Sequence, residues 1–218
     1  MDIKFNEMFQ ENSFKLFGKW LEIEDNTPFE LLVMAASNNN HYEGTLRDIC
    51  QWRGVASCSV NNNKIKEALD YLRDSGYLSY SLQGYTYIIS LKDREEYEND
   101  YINIKYEWLK ELRSYKKSAK KTVSITWAKI LKVFMVCVMY INEELVNMDG
   151  MAKLLHMNVN SIRNAFKALG ELDLVGIEIG KYTVIKKMLI CQSVWYYKTL
   201  GTRIEKQINV FETDVVKK

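Results

Sequence analysis

Proline and histidine are nearly absent from this chain. Its 218 residues include one proline, ten glycines and two histidines. A collagen-like chain and a Pro/Gly-rich flexible linker are therefore excluded, and we expect any domains to be joined rigidly. Metal ligands are scarce as well. His41, Cys50 and Cys58 could in principle meet, but their spacing matches no zinc pattern, so we predict no metal and no cofactor.

Membrane-spanning and export segments are also lacking. The longest apolar stretch, residues 130–141, contains Lys132 and is shorter than the ~20 residues of a membrane-spanning helix. Charges interrupt the N-terminus too often for a signal peptide. We expect a cytoplasmic protein, not a membrane partner, with reduced thiols at four positions: Cys50, Cys58, Cys137 and Cys191.

Enzyme signatures are missing too. The sequence has no P-loop, no GxGxxG, no GxSxG and no HExxH motif. Its adjacent carboxylates, such as Glu95 with Glu96, read as surface charge on solvated helices. We predict no catalytic residues and no enzymatic activity.

The charge is almost balanced, with 30 Lys and Arg against 28 Asp and Glu, a formal net charge of +2. Any attraction to nucleic acid must then come from a local concentration of basic residues.

What the chain does contain is one pattern twice. In each copy an amphipathic helix is followed by a short strand, a glycine-containing turn and a second strand. Eight pairs of residues share one constant offset: Ile65/Ile162, Ala68/Ala165, Leu69/Phe166, Leu72/Leu169, Tyr77/Leu174, Leu78/Val175, Tyr85/Tyr182 and Ile88/Ile185.

In the first copy, Thr27-Pro28 with Glu30 predicts a capping box and a helix over 28–37. Thr45 with Asp48 predicts a second cap and a short helix. A third helix is expected from about Asn63 to Gly76, followed by a hairpin over 77–91 that turns at Gln83-Gly84.

In the second copy, the pattern predicts a buried helix over 124–141 and a short helix over 149–156. Asn158 or Asn160 then caps a further helix. A hairpin over 174–185 follows and turns at Gly180-Lys181.

The remaining segments predict an extension that packs on a domain or a partner, and further helices. We expect an apolar N-terminal extension, a long connecting helix over 93–117 with a basic end, and C-terminal helices with a break at Gly201. The predicted organisation is 1–24 extension, 25–92 first domain, 93–121 connector, 122–187 second domain and 188–218 C-terminal helices.

The segment NVNSIRNAFKALGELDLVGIEIGKYTVI, preceded by MAKLLHM, resembles winged helix-turn-helix domains. Leu154 and Ile162 have the spacing usual for the tight turn of that family. The resemblance implies an α+β, mainly helical fold with two winged-helix domains joined by a long helix. It also implies that the second helix of each pair enters the major groove of DNA, with the wing beside it.

Carried over to the second copy, the resemblance gives DNA contacts to the exposed side of the recognition helix and to the wing. Arg can bind guanine, Asn can bind adenine, and Lys can neutralise phosphate. An alternative is that these are solvated positions of an amphipathic helix. The residues are Asn160, Ser161, Arg163, Asn164 and Lys167 on the helix and Lys181, Tyr182 and Lys186 in or next to the wing.

The first copy departs from the family pattern. Its inter-helix turn is predicted to be expanded by an insertion containing Trp52, Arg53 and Cys58, its helix has balanced charge, and its wing has no basic residue. It either reads bases through its asparagine-rich start or mediates dimerisation. The candidate DNA-binding residues are Asn61, Asn62, Asn63 and Lys64.

The densest basic cluster is SYKKSAKK, at the end of the predicted connector. It either lies along a phosphate backbone or supplies cations to the end of a helix. Its cations are Lys116, Lys117, Lys120 and Lys121.

Tandem winged helices of this size resemble plasmid and phage replication initiators. The resemblance implies a sequence-specific double-stranded DNA-binding protein in replication initiation or transcription regulation. Its partners would be DNA, a second copy of the chain, and the replication or transcription machinery. The alternative is a protein-interaction adaptor, since tandem winged helices also resemble condensin accessory subunits.

Overall fold

The computed structural model describes residues 12–92, 100–115, 125–139 and 146–172, Leu174, and four strands between 178 and 197. The described part is α+β and mostly helical, with small antiparallel sheets. The chain divides into two compact units. We call them the N-terminal unit, Phe9–Glu107, and the C-terminal unit, whose described residues lie within Trp108–Lys218.

In the N-terminal unit, three helices and a three-stranded sheet lie along the sequence between a first and a last strand, which pair with each other. A short 3-10 helix covers Gly18–Glu22. The elements are β1 Ser13–Phe17, α1 Asn26–Ala36, β2 His41–Thr45, α2 Leu46–Arg53, α3 Ser59–Asp74, β3 Leu78–Gln83, β4 Thr86–Leu91 and β5 Tyr101–Lys105.

The C-terminal unit repeats the helix, strand, helix, helix, strand, strand order. Its first element, α4, begins two residues before the boundary between the units. The elements are α4 Tyr106–Ser114, α5 Trp127–Met139, β6 Val146–Asn147, α6 Met148–Leu154, α7 Val159–Glu171, β7 Glu178–Ile179, β8 Thr183–Ile185, β9 Met188–Cys191 and β10 Val194–Tyr197.

The two three-stranded sheets have the same topology. In the N-terminal unit the order is β2-β4-β3, so the last strand lies in the middle, and β6-β8-β7 repeats this order. Every pairing is antiparallel. Between β3 and β4 the chain turns at Gly84, whose φ of 61° lies in the left-handed region that favours glycine.

The core of each unit is built on its first buried helix. In α1 every residue from Pro28 to Ala36 is buried, and α1 contacts α3, β1, β2 and β4. In α5 every residue from Ile130 to Val138 is buried, and α5 contacts α7. The repeated helical positions are buried in both copies, which confirms the predicted inner faces: Ile65/Ile162, Ala68/Ala165, Leu69/Phe166 and Leu72/Leu169.

The predicted connecting helix is wrong over Tyr101–Lys105, which is β5, and agrees with the structure over Tyr106–Ser114, which is α4. The predicted N-terminal extension contains a strand. Residues 13–17 form β1, which pairs with β5 in the middle of the predicted connector, from Ser13↔Lys105 to Phe17↔Tyr101. Leu16 and Ile104 are both fully buried in this ribbon. Helical spacing of apolar residues was misleading over 101–105 because a partner strand almost ninety residues away satisfies the backbone instead.

The capping box predicted at Thr27 and Glu30 is also wrong. Asp25 is the N-cap of α1, and its side chain makes no capping bond. Glu30 instead accepts a hydrogen bond from Arg53 Nε at 2.6 Å, and Thr27 Oγ1 accepts one from Arg53 Nη2 at 2.8 Å. The two residues therefore tie α1 to α2. The cap predicted at Thr45 with Asp48 is confirmed, and the structure shows that the two residues form a full capping box. The hydrogen bond from the Thr45 hydroxyl lowers the pKa of Asp48.

The turn between α2 and α3 is not greatly expanded. It covers residues 54–58, against 155–158 between α6 and α7. Trp52 and Arg53 belong to the last turn of α2, and Cys58 is the N-cap of α3. α3 starts six residues before Ile65, whereas α7 starts three residues before Ile162, so the third helix begins at Ser59 and not near Asn63.

The C-terminal helices predicted after residue 187 are wrong over the described part. Residues 188–191 and 194–197 are β9 and β10, which pair antiparallel with Val194 opposite Cys191. Gly201 and the rest of that prediction lie outside the described residues.

No helix in the described part of the chain is both long enough and apolar enough to cross a membrane.

Candidate nucleic-acid interface

The start of α7 is held by a side-chain cap. Asn158 Oδ1 accepts a hydrogen bond from the backbone amide of Ser161 at 2.7 Å, which confirms one of the two predicted caps. Ile162, Ala165, Phe166 and Leu169 are buried on the inner face. Cap and core together fix which side chains α7 presents outward.

The outward face of α7 carries the residues that the second copy predicted for DNA contact. Asn160, Arg163 and Lys167 are exposed, and Ser161 and Asn164 are half-buried. Arg163 Nη1 donates a hydrogen bond to Asn160 Oδ1 at 3.1 Å, one turn earlier on the same face. The five predicted helix residues thus lie on one side of one helix.

Carboxylates are absent from most of this face. From Gly150 to Gly170 the sequence contains Lys153, Arg163 and Lys167 but no aspartate or glutamate. The first carboxylate after this stretch is Glu171 at the end of α7, and it accepts a hydrogen bond from the Tyr115 hydroxyl at 2.5 Å. Burial and this hydrogen bond raise the pKa of Tyr115 to about 12.

The Tyr115 contact was not predicted from the sequence. It joins the residue after α4 to the end of α7, both within the C-terminal unit. Tyr115 lies in the connecting helix predicted over 93–117, and a sequence pattern gives no indication of a carboxylate fifty-six residues later.

The wing residues and the basic cluster that were predicted to contact DNA lie outside the described residues, although the two strands of the wing are described. β7 and β8 form the predicted hairpin, with Ile179 opposite Val184. Their turn and flanks, and the segment after Tyr115, are not described. This applies to Lys181, Tyr182 and Lys186, and to Lys116, Lys117, Lys120 and Lys121.

In the N-terminal unit, two of the residues that were predicted to contact bases form hydrogen bonds with the turn before α3 or with α2. Asn61 Nδ2 donates to the Ala56 carbonyl at 2.8 Å. Asn62 Oδ1 accepts from Cys50 Sγ at 3.5 Å and from Ser57 Oγ at 3.4 Å. The asparagines therefore link the start of α3 to α2 and to the turn. Asn63 and Lys64 are exposed and remain available.

In the second half of α3, Arg73 forms ion pairs with two carboxylates of the same helix. Arg73 lies 3.0 Å from both Asp70 and Asp74, and Tyr80 on β3 donates a hydrogen bond to Asp70 at 2.5 Å. This hydrogen bond raises the pKa of Tyr80. Over its whole length α3 therefore carries charge of both signs, unlike residues 150–170, which contain no carboxylate. Its three cations and three carboxylates are Lys64, Lys66, Arg73, Glu67, Asp70 and Asp74.

The hairpin tip of the N-terminal unit is apolar and exposed. Tyr85, beside Gly84, is 89% exposed, and Leu82 is 55% exposed. A solvated tyrosine and leucine at a turn differ from the cationic side chains that would neutralise phosphate.

No described group of three or more His, Cys, Asp or Glu residues could hold a metal ion. His41 lies on β2, where its ring contacts Ser90 Oγ at 2.9 Å and Glu43 Oε1 at 3.0 Å. Cys50 is buried, which raises the pKa of its thiol, and Cys58 is exposed.

Comparison of the chain with protein-family models, with curated proteins and with solved structures found no match.

Proposed function

We propose that this chain is a sequence-specific double-stranded DNA-binding protein that reads its site through α7 of the C-terminal unit. It would act in plasmid or phage replication initiation or in transcription regulation. The observation that carries the proposal is the outward face of α7, where Asn160, Arg163 and Lys167 are exposed in a stretch without carboxylates.

The element order supports a pair of winged helices. In each unit a buried helix and a strand precede two helices joined by a short turn, and the last strand pairs with both others. A winged helix has the same order, with its second short-turn helix in the major groove. α7 occupies that place in the C-terminal unit.

The side chains of α7 have complementary tasks in this proposal. Arg163 binds guanine O6 and N7, and its hydrogen bond to Asn160 holds the guanidinium before DNA arrives. Asn164 offers an amide to adenine. Lys167, one turn further along α7, contacts the phosphate backbone and gives affinity without sequence preference.

The test compares Arg163→Ala and Lys167→Ala with the parent on duplexes selected from a random library. Arg163→Ala should cost about 1–3 kcal/mol and relax the preference at one base pair. Lys167→Ala should weaken all duplexes alike and reduce the slope of log affinity against log salt concentration by about 1. Fluorescence anisotropy at several salt concentrations measures both effects.

Lys66→Ala is the matched control, because Lys66 is an exposed helical cation in the N-terminal unit. It should leave binding unchanged. Parental affinity, preference and salt slope in both α7 variants would overturn the assignment to α7, and no binding by the parent at low salt would overturn DNA binding itself.

A protein-interaction adaptor is the second candidate, and the N-terminal unit favours it. The charge of α3 is balanced, Asn61 and Asn62 are engaged in the turn, and the hairpin tip exposes Leu82 and Tyr85. Such a surface suits a protein partner better than a polyanion.

A further inference from the structure

A cleft lies beside α3 in the N-terminal unit. One wall is the segment from Glu22 to Pro28, which leads into α1, and the other is the side of α3 that carries Lys64, Glu67 and Tyr71. Its volume is 760 Å³, within the range of sites that hold small molecules or side chains of a bound peptide.

The charge of the cleft is strongly biased towards acid. Glu22, Glu24, Asp25 and Glu67 line it, and Lys64 is the one cation among its lining residues in the described chain. Glu22 contacts Lys19 at 2.6 Å, but both side chains are about half exposed, and an exposed ion pair of this kind is weak. An incoming cation can therefore compete for Glu22 at little cost.

Apolar surface accompanies this charge. Tyr71 is 47% exposed, and Val60, three turns earlier on the same side of α3, is 61% exposed. Ile23, Pro28 and Ala68 are buried residues that line the cleft. An exposed tyrosine ring attracts a cation to its face and also covers an alkyl chain, so the cleft offers more than a set of carboxylates.

The side of α3 that borders this cleft includes Lys64 and Glu67, which the constant offset of the two copies pairs with Ser161 and Asn164 of α7. Four carboxylates beside it repel a polyanion, and the exposed Val60 and Tyr71 gain nothing from a phosphate backbone. The same features match a segment whose cations meet the carboxylates and whose apolar side chain covers Tyr71.

We propose that the cleft between Glu22–Pro28 and α3 binds a cationic peptide segment of a partner protein, rich in Arg or Lys and carrying an apolar side chain. Glu67 and Asp25 receive the cationic heads from opposite walls, and Tyr71 packs against the stem or guanidinium of one of them. The N-terminal unit thereby recruits a basic partner. This inference does not depend on DNA binding by α7.

The experiment uses the full chain and fluorescein-labelled peptides that alternate arginine with leucine, with hexa-arginine and hexa-glutamate for comparison. The alternating peptide should bind more tightly than hexa-arginine, and hexa-glutamate should not bind. Glu67→Lys should weaken the alternating peptide at least about tenfold, because a cation then replaces a carboxylate in the cleft. Glu43→Lys, an exposed reversal on β2 away from the cleft, is the matched control and should change affinity less than about twofold.

Tyr71→Ala separates a groove from a diffuse acidic surface. It should weaken the alternating peptide while leaving the net charge unchanged, and Glu67→Lys should leave duplex binding by the same sample unaltered. Equal effects of the two charge reversals, no effect of Tyr71→Ala, or no binding of the alternating peptide would overturn the proposal. If the parent binds the alternating peptide but no duplex, the proposal that α7 binds DNA fails and the proposal that the cleft binds a cationic peptide stands.

Discussion

Arg53 and Glu30 form an ion pair that is almost entirely removed from water. Arg53 Nε lies 2.6 Å from Glu30 Oε2, and the two side chains are 7% and 6% exposed. Removing one charge of such a pair leaves the other buried and uncompensated, and this costs more than the intact pair contributes.

Glu30→Gln should therefore lower the free energy of unfolding by about 3–5 kcal/mol. Urea denaturation followed by circular dichroism measures the loss. Glu22→Gln is the control, since it breaks the exposed pair with Lys19 and should cost less than about 1 kcal/mol. Similar losses in the two variants would show that the Arg53–Glu30 pair is not buried in solution.

Tyr115 gives the C-terminal unit a dependence on high pH. Its pKa is raised to about 12 by burial first and then by the hydrogen bond to Glu171, whereas an unfolded tyrosine titrates near 10. Since the folded state holds the proton more tightly, this contribution to stability is complete below about pH 10 and is lost as the pH rises towards 12.

Tyr115→Phe should remove that part of the pH dependence. The variant should lose stability less steeply than the parent between about pH 10 and 12, as measured by thermal denaturation midpoints. Tyr85→Phe, at a position 89% exposed, should keep the parental slope. An unchanged slope in Tyr115→Phe would mean that Glu171 does not hold this proton.

Single side chains also show where sequence reasoning stops. Thr27 and Glu30 have the spacing of a capping box, and Thr45 and Asp48 have it too, but only the second pair forms one. The difference is Arg53, which takes both Thr27 and Glu30 as acceptors from across the fold. Local spacing cannot reveal a competing donor that tertiary packing delivers.

At the scale of elements, α1 and α7 begin differently. Asn158 caps α7 with a hydrogen bond of 2.7 Å to the Ser161 amide, whereas Asp25 precedes α1 without a side-chain bond. The helix that would read DNA thus depends on its cap, and α1 depends on burial along its length.

Asn158→Ala should lower the free energy of unfolding by about 1 kcal/mol, because an amide of the first turn loses its acceptor. Asp25→Ala should change it by only a few tenths of a kcal/mol, since no side-chain capping bond is lost. Chemical denaturation of the two variants measures the contrast. A larger loss in Asp25→Ala than in Asn158→Ala would contradict the assignment of these caps.

The elements that sequence reasoning identified are those that local signals define. The inner faces of α3 and α7, the capping box at Thr45 and the first hairpin follow from spacing and turn residues within a few positions. The pairing of β1 with β5 does not. Tyr101–Lys105 carries apolar residues at spacings that suit a helix, and its strand conformation depends on a partner at Ser13–Phe17.

The candidate site could be predicted only in part, for the same reason. The outward face of α7 follows from the period of its buried residues, and the structure places Asn160, Arg163 and Lys167 there. Asn61 and Asn62 looked equivalent in sequence but are engaged by Ala56, Cys50 and Ser57. The cleft beside α3 combines residues from two distant segments, so no local pattern indicated it.

At the scale of the whole molecule, one topology carries two kinds of surface. Both units use the same element order and strand order. In the C-terminal unit the exposed helix has cations without carboxylates over Gly150–Gly170, and in the N-terminal unit the equivalent helix borders an acidic cleft. Surface chemistry on a shared scaffold, and not the scaffold, therefore distinguishes the two proposed partners.

The central position of the last strand also orders events during synthesis. On the ribosome, α1, β2, α2, α3 and β3 emerge before Thr86–Leu91, yet β2 and β3 have no pairing with each other in the finished sheet. The sheet can close only when β4 arrives and pairs with both strands. β1 lacks its partner for longer still, since β5 is the last strand of this unit to be translated. The edges of β1, β2 and β3 are therefore open to other chains until nearly the whole N-terminal unit has been made.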